Sequence, residues 1–277
     1  MVNSVKRMIT GLGYKTGEEP MADEILCAVA DGIATLTLNR PEKRNAMNTA
    51  VLEGLRRHFD ELDARRDVRV VVVRGAGKAF CSGMDLDEMS RKQREAADPE
   101  TGVTAVLQRV ERSRHPTIAM VHGDAFAGGC ELALHCDLRI AADVVRFAMP
   151  LARIGLVVPF PLGQKLVEIV GPSWAREILL TGRPLDARRA LEMGMVHRVV
   201  PAADVEAATY EVARAIADNA PLSLAGMKAM IQRAVSARER IDHADLDADV
   251  TRARKSADAR EGVRAMLEKR RPTFTGE

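Results

Sequence analysis

Aromatic side chains are scarce in this 277-residue chain: one Trp, two Tyr and six Phe, 3% of all positions. The basic tail over 252–271 interleaves its arginines with acids and has no aromatic, so it lacks the stacking surface of a nucleic-acid site. Charge of one sign is lacking too. With 41 basic and 39 acidic side chains the formal charge is +2, and neither nucleic acid nor an anionic membrane is expected as a partner. Cys27, Cys81, Cys130 and Cys136 sit singly in apolar stretches, without the paired spacing of a zinc site or the density of a secreted scaffold. Reduced thiols in a cytoplasmic compartment follow. No apolar run approaches the roughly 18–20 residues that span a bilayer. The first twenty residues lack an apolar signal-peptide segment, so residues 1–23 are expected to be a flexible extension of a soluble protein.

Several chemical signatures are also missing. Gly75-Ala76-Gly77 follows an apolar run, but Phe80 stands where a dinucleotide fingerprint needs its third glycine. Gly77-Lys78 is followed by Ala79, where a P-loop needs a hydroxyl for magnesium. There is no G-x-S-x-G elbow, and none of the six histidines pairs with another at i, i+4. Neither a metal nor a resident cofactor is expected.

What is present is an aliphatic chain, 47% hydrophobic, with alternating elements. Residues 24–39 hold two short apolar runs around Asp31-Gly32, a hairpin pattern. After Asn48, positions Val51, Leu52, Leu55, Phe59 and Leu62 have helical spacing, and Val70-Val71-Val72-Val73 predicts a strand buried on both faces. Helix 104–112, strand 117–121, a helix opening near Gly129 and strand 138–141 continue an α/β rhythm. Beyond Pro161 helical patterns dominate, at 162–170, 173–180, 187–193, 204–219, 222–237 and 260–269, with only 196–200 extended.

Two glycine-containing loops each lie between a strand and a helix: Ala79-Phe80-Cys81-Ser82-Gly83-Met84-Asp85-Leu86 and His122-Gly123-Asp124-Ala125-Phe126-Ala127-Gly128-Gly129-Cys130-Glu131-Leu132. A strand that turns sharply into a helix aims backbone N–H groups outward, and glycine lets a ligand approach them. Two such loops side by side could direct two donors at one carbonyl oxygen, as in an oxyanion hole; a simple turn before a helix gives the same pattern.

These loops, with Asn39-Arg40-Pro41, Asn45-Ala46-Met47-Asn48, Cys136-Asp137, Leu180-Thr181-Gly182-Arg183 and Gly194-Met195-Val196, resemble the successive signatures of the crotonase (enoyl-CoA hydratase/isomerase) family, in order over about residues 24–272. The resemblance implies an α/β crotonase-like spiral of ββα units over 24–200 and a helical trimerisation region over 201–277. It implies an acyl-CoA thioester as substrate, and a homotrimer or homohexamer. The N–H groups of Met84 and Gly128 would form the oxyanion hole and Glu131 would be an acid/base. Coenzyme A would meet Lys43, Arg44 and Ala46, then Ser82, Asp85 and Leu86 near its adenine, and Lys269 from the C-terminal end. Met84, Leu151 and Phe160 would shape the acyl pocket.

One departure limits the implied reaction. The second glutamate of family hydratases falls at Leu151, and the acid of some family isomerases at Pro159. A positioned acid or base contributes about 10²- to 10⁴-fold, so ordinary hydration should weaken while thioester polarisation survives. Asp124, in the second loop, is a candidate second carboxylate. The expected activity is that of an enoyl-CoA hydratase-like lyase. The alternatives are an isomerase, another thioester-enolate enzyme such as a decarboxylase or C–C hydrolase, or a non-catalytic acyl-CoA-binding homologue.

Overall fold

The hairpin that opens the fold turns at Asp31 and Gly32, both at positive φ (51° and 76°), the conformation that matches the twist of paired strands. It joins β1 (Ile25–Ala30) to β2 (Ile33–Leu38) in a computed structural model that describes residues 23–92, 102–235 and 241–276. The extension expected at 1–23 lies outside the described residues except for Asp23.

From β2 onward the main sheet is parallel. β3 (Val70–Gly75), β4 (Thr117–Val121), β6 (Leu138–Ala142) and β9 (Arg198–Val200) follow in the order β1-β2-β3-β4-β6-β9. The run Val70 to Val73 is fully buried, as expected for a strand covered on both faces. The crossover helix α1 (Thr49–Ala64) starts where the Asn48 side chain accepts the Val51 N–H at 2.9 Å. It buries Val51, Leu52, Leu55, Phe59 and Leu62. The next helices are α2 (Leu86–Lys92) and α3 (Val103–Glu111). α4 (Gly128–His135) is so enclosed that every residue after Gly128 is buried.

A polar clamp fixes the C-terminal end of α4. Arg139, buried on β6, donates to the carbonyls of Ala133, Leu134 and Cys136 and to that of Met195, at 2.6–3.3 Å. Those bonds satisfy carbonyls that a helix end leaves without partners.

A second sheet was not evident in the sequence. β5 (Ala125–Phe126) pairs in parallel with β7 (Arg146–Ala148), which pairs antiparallel with β8 (Leu185–Asp186). Strands of two or three residues are too short to show a period of two.

α5 (Phe160–Thr181) is interrupted at Gly171 (φ 73°, ψ 165°) before Pro172, so the two helical patterns expected there are separate runs. α6 (Ala187–Glu192) leads to β9. α7 (Val205–Ala217) lies across the parallel strands, and its Val205, Ala208 and Ala213 join the same core as β3 and β4. α8 (Pro221–Val235) is tied to that core by Lys228, which donates to Asp137 at 2.7 Å and to the His115 carbonyl at 2.9 Å. α9 (Ala244–Lys255), too polar to show an apolar stripe, precedes α10 (Ala257–Leu267), and α10 packs on the 3-10 turn Leu151–Ile154. Among the described residues no helix is long and apolar enough to cross a membrane.

Glycines separate tight packing from free space. A Cβ on Gly226, exposed inside α8, would meet nothing within 4 Å. Gly226→Ala is expected to raise unfolding stability by about 0.4–1 kcal/mol through helix propensity, measured by denaturant unfolding. Gly129→Ala should destabilise, because its Cβ would collide with the Cys81 carbonyl.

Candidate active site

The loops after β3 and β4 emerge side by side because those strands are parallel neighbours. They are then joined backbone to backbone. The Cys81 N–H donates to the Asp124 carbonyl at 3.3 Å and the Phe126 N–H to the Cys81 carbonyl at 3.0 Å. On the other side Met47 donates to the Gly83 carbonyl at 2.7 Å and accepts from Asp85 at 2.9 Å. Gly83 takes φ 100°, and a Cβ there would lie 3.0 Å from both Ala127 Cβ and the Phe126 carbonyl oxygen.

Asn45, fully buried, anchors the first loop. Its amide donates to the carbonyls of Ala76, Ala79 and Phe80 at 2.8–3.2 Å and its Oδ1 accepts the Arg40 N–H at 3.0 Å. Arg40 in turn donates to Asp85 at 3.0 Å, while the other oxygen of Asp85 accepts the N–H groups of Asp87 and Glu88 and so caps α2. Burial opposes ionisation of Asp85, but Arg40 and the Glu88 N–H outweigh it and hold the carboxyl below its usual range.

This framework leaves two donors unspent. Among the described residues, neither the Met84 N–H nor the Gly128 N–H, at the first position of α4, has an acceptor. They are close: a Cβ on Gly128 would lie 3.6 Å from the Met84 nitrogen. Ala127, just before, has φ 47° and ψ −121°, a conformation that costs a non-glycine residue about 1–3 kcal/mol. Its N–H bond to the Ala148 carbonyl (2.8 Å) and the Glu131 N–H bond to its own carbonyl (3.0 Å) hold it there. That strain is local to the turn that aims the Gly128 N–H.

Both donors line a cavity of about 420 Å³, and so does Glu131. The Glu131 side chain is 1% exposed, and neither carboxyl oxygen has a hydrogen-bond partner. Burial alone pushes its pKa well above the usual carboxylate value. The facing wall is apolar, with Met149, Leu151, Val158, Pro159 and Leu162.

Lys43, Arg44, Ala46, Ser82, Asp85, Leu86 and Leu151 line this same cavity. Phe160 does not. It lines an adjoining cavity of about 700 Å³ and stacks on His243, because it begins α5 on the far side of Val157 and Val158. Lys269 is likewise not part of the cavity lining in its own chain; α10 ends before it and presents Met266 and Leu267 instead. Asp124 is no second carboxylate for the site: it pairs with Arg146 at 2.5 Å and accepts that residue's backbone N–H, linking β5 to β7. No local pattern marks the structural role of Asn45, and none marks Val250 and Arg254, which reach the cavity from α9, a helix without a hydrophobic period.

A carboxyl with a raised folded-state pKa stabilises the fold only where it stays protonated. Above the unfolded-state value near 4.5 the unfolded chain ionises first, so this contribution is lost as pH rises toward the folded-state value. Glu131→Gln is therefore expected to raise the thermal midpoint at pH 7 by a few degrees, with the gain vanishing below about pH 4. Thermal unfolding of both proteins across pH 4–8 checks this.

Residues 28–277 match the Enoyl-CoA hydratase/isomerase family. The short-chain-enoyl-CoA hydratase of Clostridium acetobutylicum is 33% identical over 204 residues, 73% of this chain and 78% of that protein. Carnitinyl-CoA hydratase from Mycobacterium avium is similar in structure, with TM-score 0.82 and 34% identity over 92% of this chain and 100% of that one. Methylmalonyl-CoA decarboxylase in complex with 2-nitronate-propionyl-CoA also has TM-score 0.82, at 26% identity over 92% of this chain and 99% of that one. With its mostly parallel sheet and helical C-terminal region, the chain has the crotonase fold and belongs to the enoyl-CoA hydratase/isomerase family.

Proposed function

We propose that this protein is an acyl-CoA enzyme of the enoyl-CoA hydratase type, in which the N–H groups of Met84 and Gly128 hold the thioester oxygen and Glu131 moves the proton. One observation carries the reading: a single cavity holds two unpartnered backbone donors and one unpartnered carboxyl. Donors fixed by the fold stabilise a developing oxyanion without reorganising, and removal of one such donor in other enzymes costs about 2.7–4 kcal/mol.

For hydration, water adds its oxygen to Cβ of a 2-enoyl thioester while ionised Glu131 takes the released proton. The enolate is held by the two N–H groups until Glu131 returns a proton to Cα. A lone carboxyl can complete this cycle, since it ends in the state in which it began. Lys43, Arg44 and Arg254 at the cavity would meet the phosphates of coenzyme A.

A second reading, decarboxylation of a malonyl-type thioester, is favoured by Leu151, which leaves the facing wall without a second carboxylate. The enolate left by loss of CO₂ would need the same oxyanion hole. The similarity to methylmalonyl-CoA decarboxylase is compatible with it. The helical region 201–277 would build a homotrimer or homohexamer, for which the exposed Leu222, Met227, Met230 and Ile231 of α8 suit a subunit contact.

Turnover of 2-enoyl-, 3-enoyl- and malonyl-type CoA thioesters tests these readings. Glu131→Gln is expected to lower kcat by about 10²- to 10⁴-fold with acyl-CoA affinity retained. Unaltered turnover by that variant removes Glu131 from the mechanism, and CO₂ release without hydration selects the second reading. Lys43→Ala with Arg44→Ala should weaken acyl-CoA binding in calorimetry while leaving kcat near its original value, and the loss should shrink at high salt.

A further inference from the structure

Behind the apolar wall that faces Glu131 lies the adjoining cavity of about 700 Å³, larger than the thioester cavity of about 420 Å³. Three residues line both. Val157 and Val158 come from the segment between the 3-10 turn Leu151–Ile154 and α5, and Val250 comes from α9. The partition is therefore made of side chains from two segments far apart in the chain, with no backbone running across it between Val158 and Val250. Behind Val158 stands Gly163 of α5, where a Cβ would lie 3.0 Å from Val158 Cγ1; with glycine there, that side chain has room to turn aside.

Beyond the partition the walls are again apolar: Phe160 and Val167 of α5, Leu179 past the break at Gly171, and Ile241 and Leu246 at the start of α9. Ile241 and Leu246 are 51% and 40% exposed, and a Cβ on Gly171 would meet nothing within 4 Å. Apolar surface of this kind, gathered around one cavity, suits an apolar ligand.

We propose that this second cavity receives the far end of the acyl chain, which leaves the thioester cavity between Val158 and Val250, and that the thioesters this protein takes are those with long, uncharged apolar tails. The proposal rests on the reading of the first cavity as the acyl-CoA site. Continuity argues for this occupant. A carbonyl held by Met84 and Gly128, with its neighbouring carbons beside Glu131, starts the chain against Met149, Leu151, Val158 and Leu162, and that apolar wall leads to the partition. A short chain ends there, whereas each further methylene carried through leaves water for an apolar surface. The end group is constrained as well. The charged groups lining the second cavity are Glu168 and Asp249, paired with Lys165 and Arg252, and no cation is among its lining residues. A tail ending in a carboxylate would lose its water there without gaining a partner.

Calorimetric binding of butanoyl-, hexanoyl-, octanoyl- and decanoyl-CoA tests the assignment. Burial of each methylene is expected to tighten binding about fourfold, so affinity should climb through decanoyl-CoA. The mono-CoA thioester of decanedioic acid should bind more weakly than decanoyl-CoA. In Leu246→Asp, which changes the second cavity alone, decanoyl-CoA is expected to bind about tenfold or more weakly and butanoyl-CoA as before. Ile241→Asp, also at an exposed position, serves if that variant does not fold. Val158→Trp, which fills the passage, should reduce the ratio of decanoyl- to butanoyl-CoA affinity by a similar factor. Affinity that levels off before octanoyl-CoA, or a ratio unchanged in these variants, overturns the tail site and leaves the acyl-CoA reading standing. Equal binding of the decanedioyl thioester overturns the restriction to uncharged tails. No binding of any of these thioesters overturns the acyl-CoA reading and the tail site with it.

Discussion

The close approach of two loop backbones, Cys81 to Met84 against Ala125 to Gly129, is the constraint on which the rest of the site depends. Gly129 lies so near the Cys81 carbonyl that no side chain fits, and Gly83 is similarly pressed against Phe126 and Ala127. The sheet makes this approach possible, because β3 and β4 are parallel neighbours whose C-terminal ends lie together. Asn45 then fixes the first loop through three carbonyls, and Arg139 fixes the far end of α4 through three more. Neither residue lines the cavity, yet together they set where Met84, Gly128 and Glu131 sit.

The site is costly to the fold. A strained Ala127 is unfavourable by about 1–3 kcal/mol, and a buried carboxyl without a partner by an amount of the same order. The aliphatic core around the valines of β3 offsets them. Such an arrangement is the usual trade between stability and activity, in which polar groups remain unsatisfied until a ligand satisfies them. The same logic explains why Asp85 differs from Glu131 although both border one cavity. Asp85 already has Arg40 and two backbone donors, so it is spent on structure, whereas Glu131 is not.

What could be seen in the sequence follows from which forces leave a local pattern. The hairpin, α1 and β3 were legible because a turn, a helical stripe or a valine run records each one within a few residues. The two loops were legible because glycine marks close backbone approach. Contacts between distant segments leave no such record. Arg146, which takes Asp124 out of consideration as a catalytic group, is 22 residues away from it. Nothing in the apolar stretch around Phe160 says on which side of Val158 its ring will fall. The two-residue strands of the second sheet and the polar α9 have no periodicity to read, although α9 supplies Val250 and Arg254 to the cavity.

The proton balance of a lone carboxyl separates the reactions that the cavity could support. Hydration and double-bond isomerisation return Glu131 to its initial protonation state within one turnover, so neither requires a route to solvent while substrate covers it. Decarboxylation consumes a proton when the enolate carbon is quenched, and a carboxyl that supplied it must be recharged each cycle. The apolar wall of Met149, Leu151, Val158 and Pro159 offers no titratable group for that task.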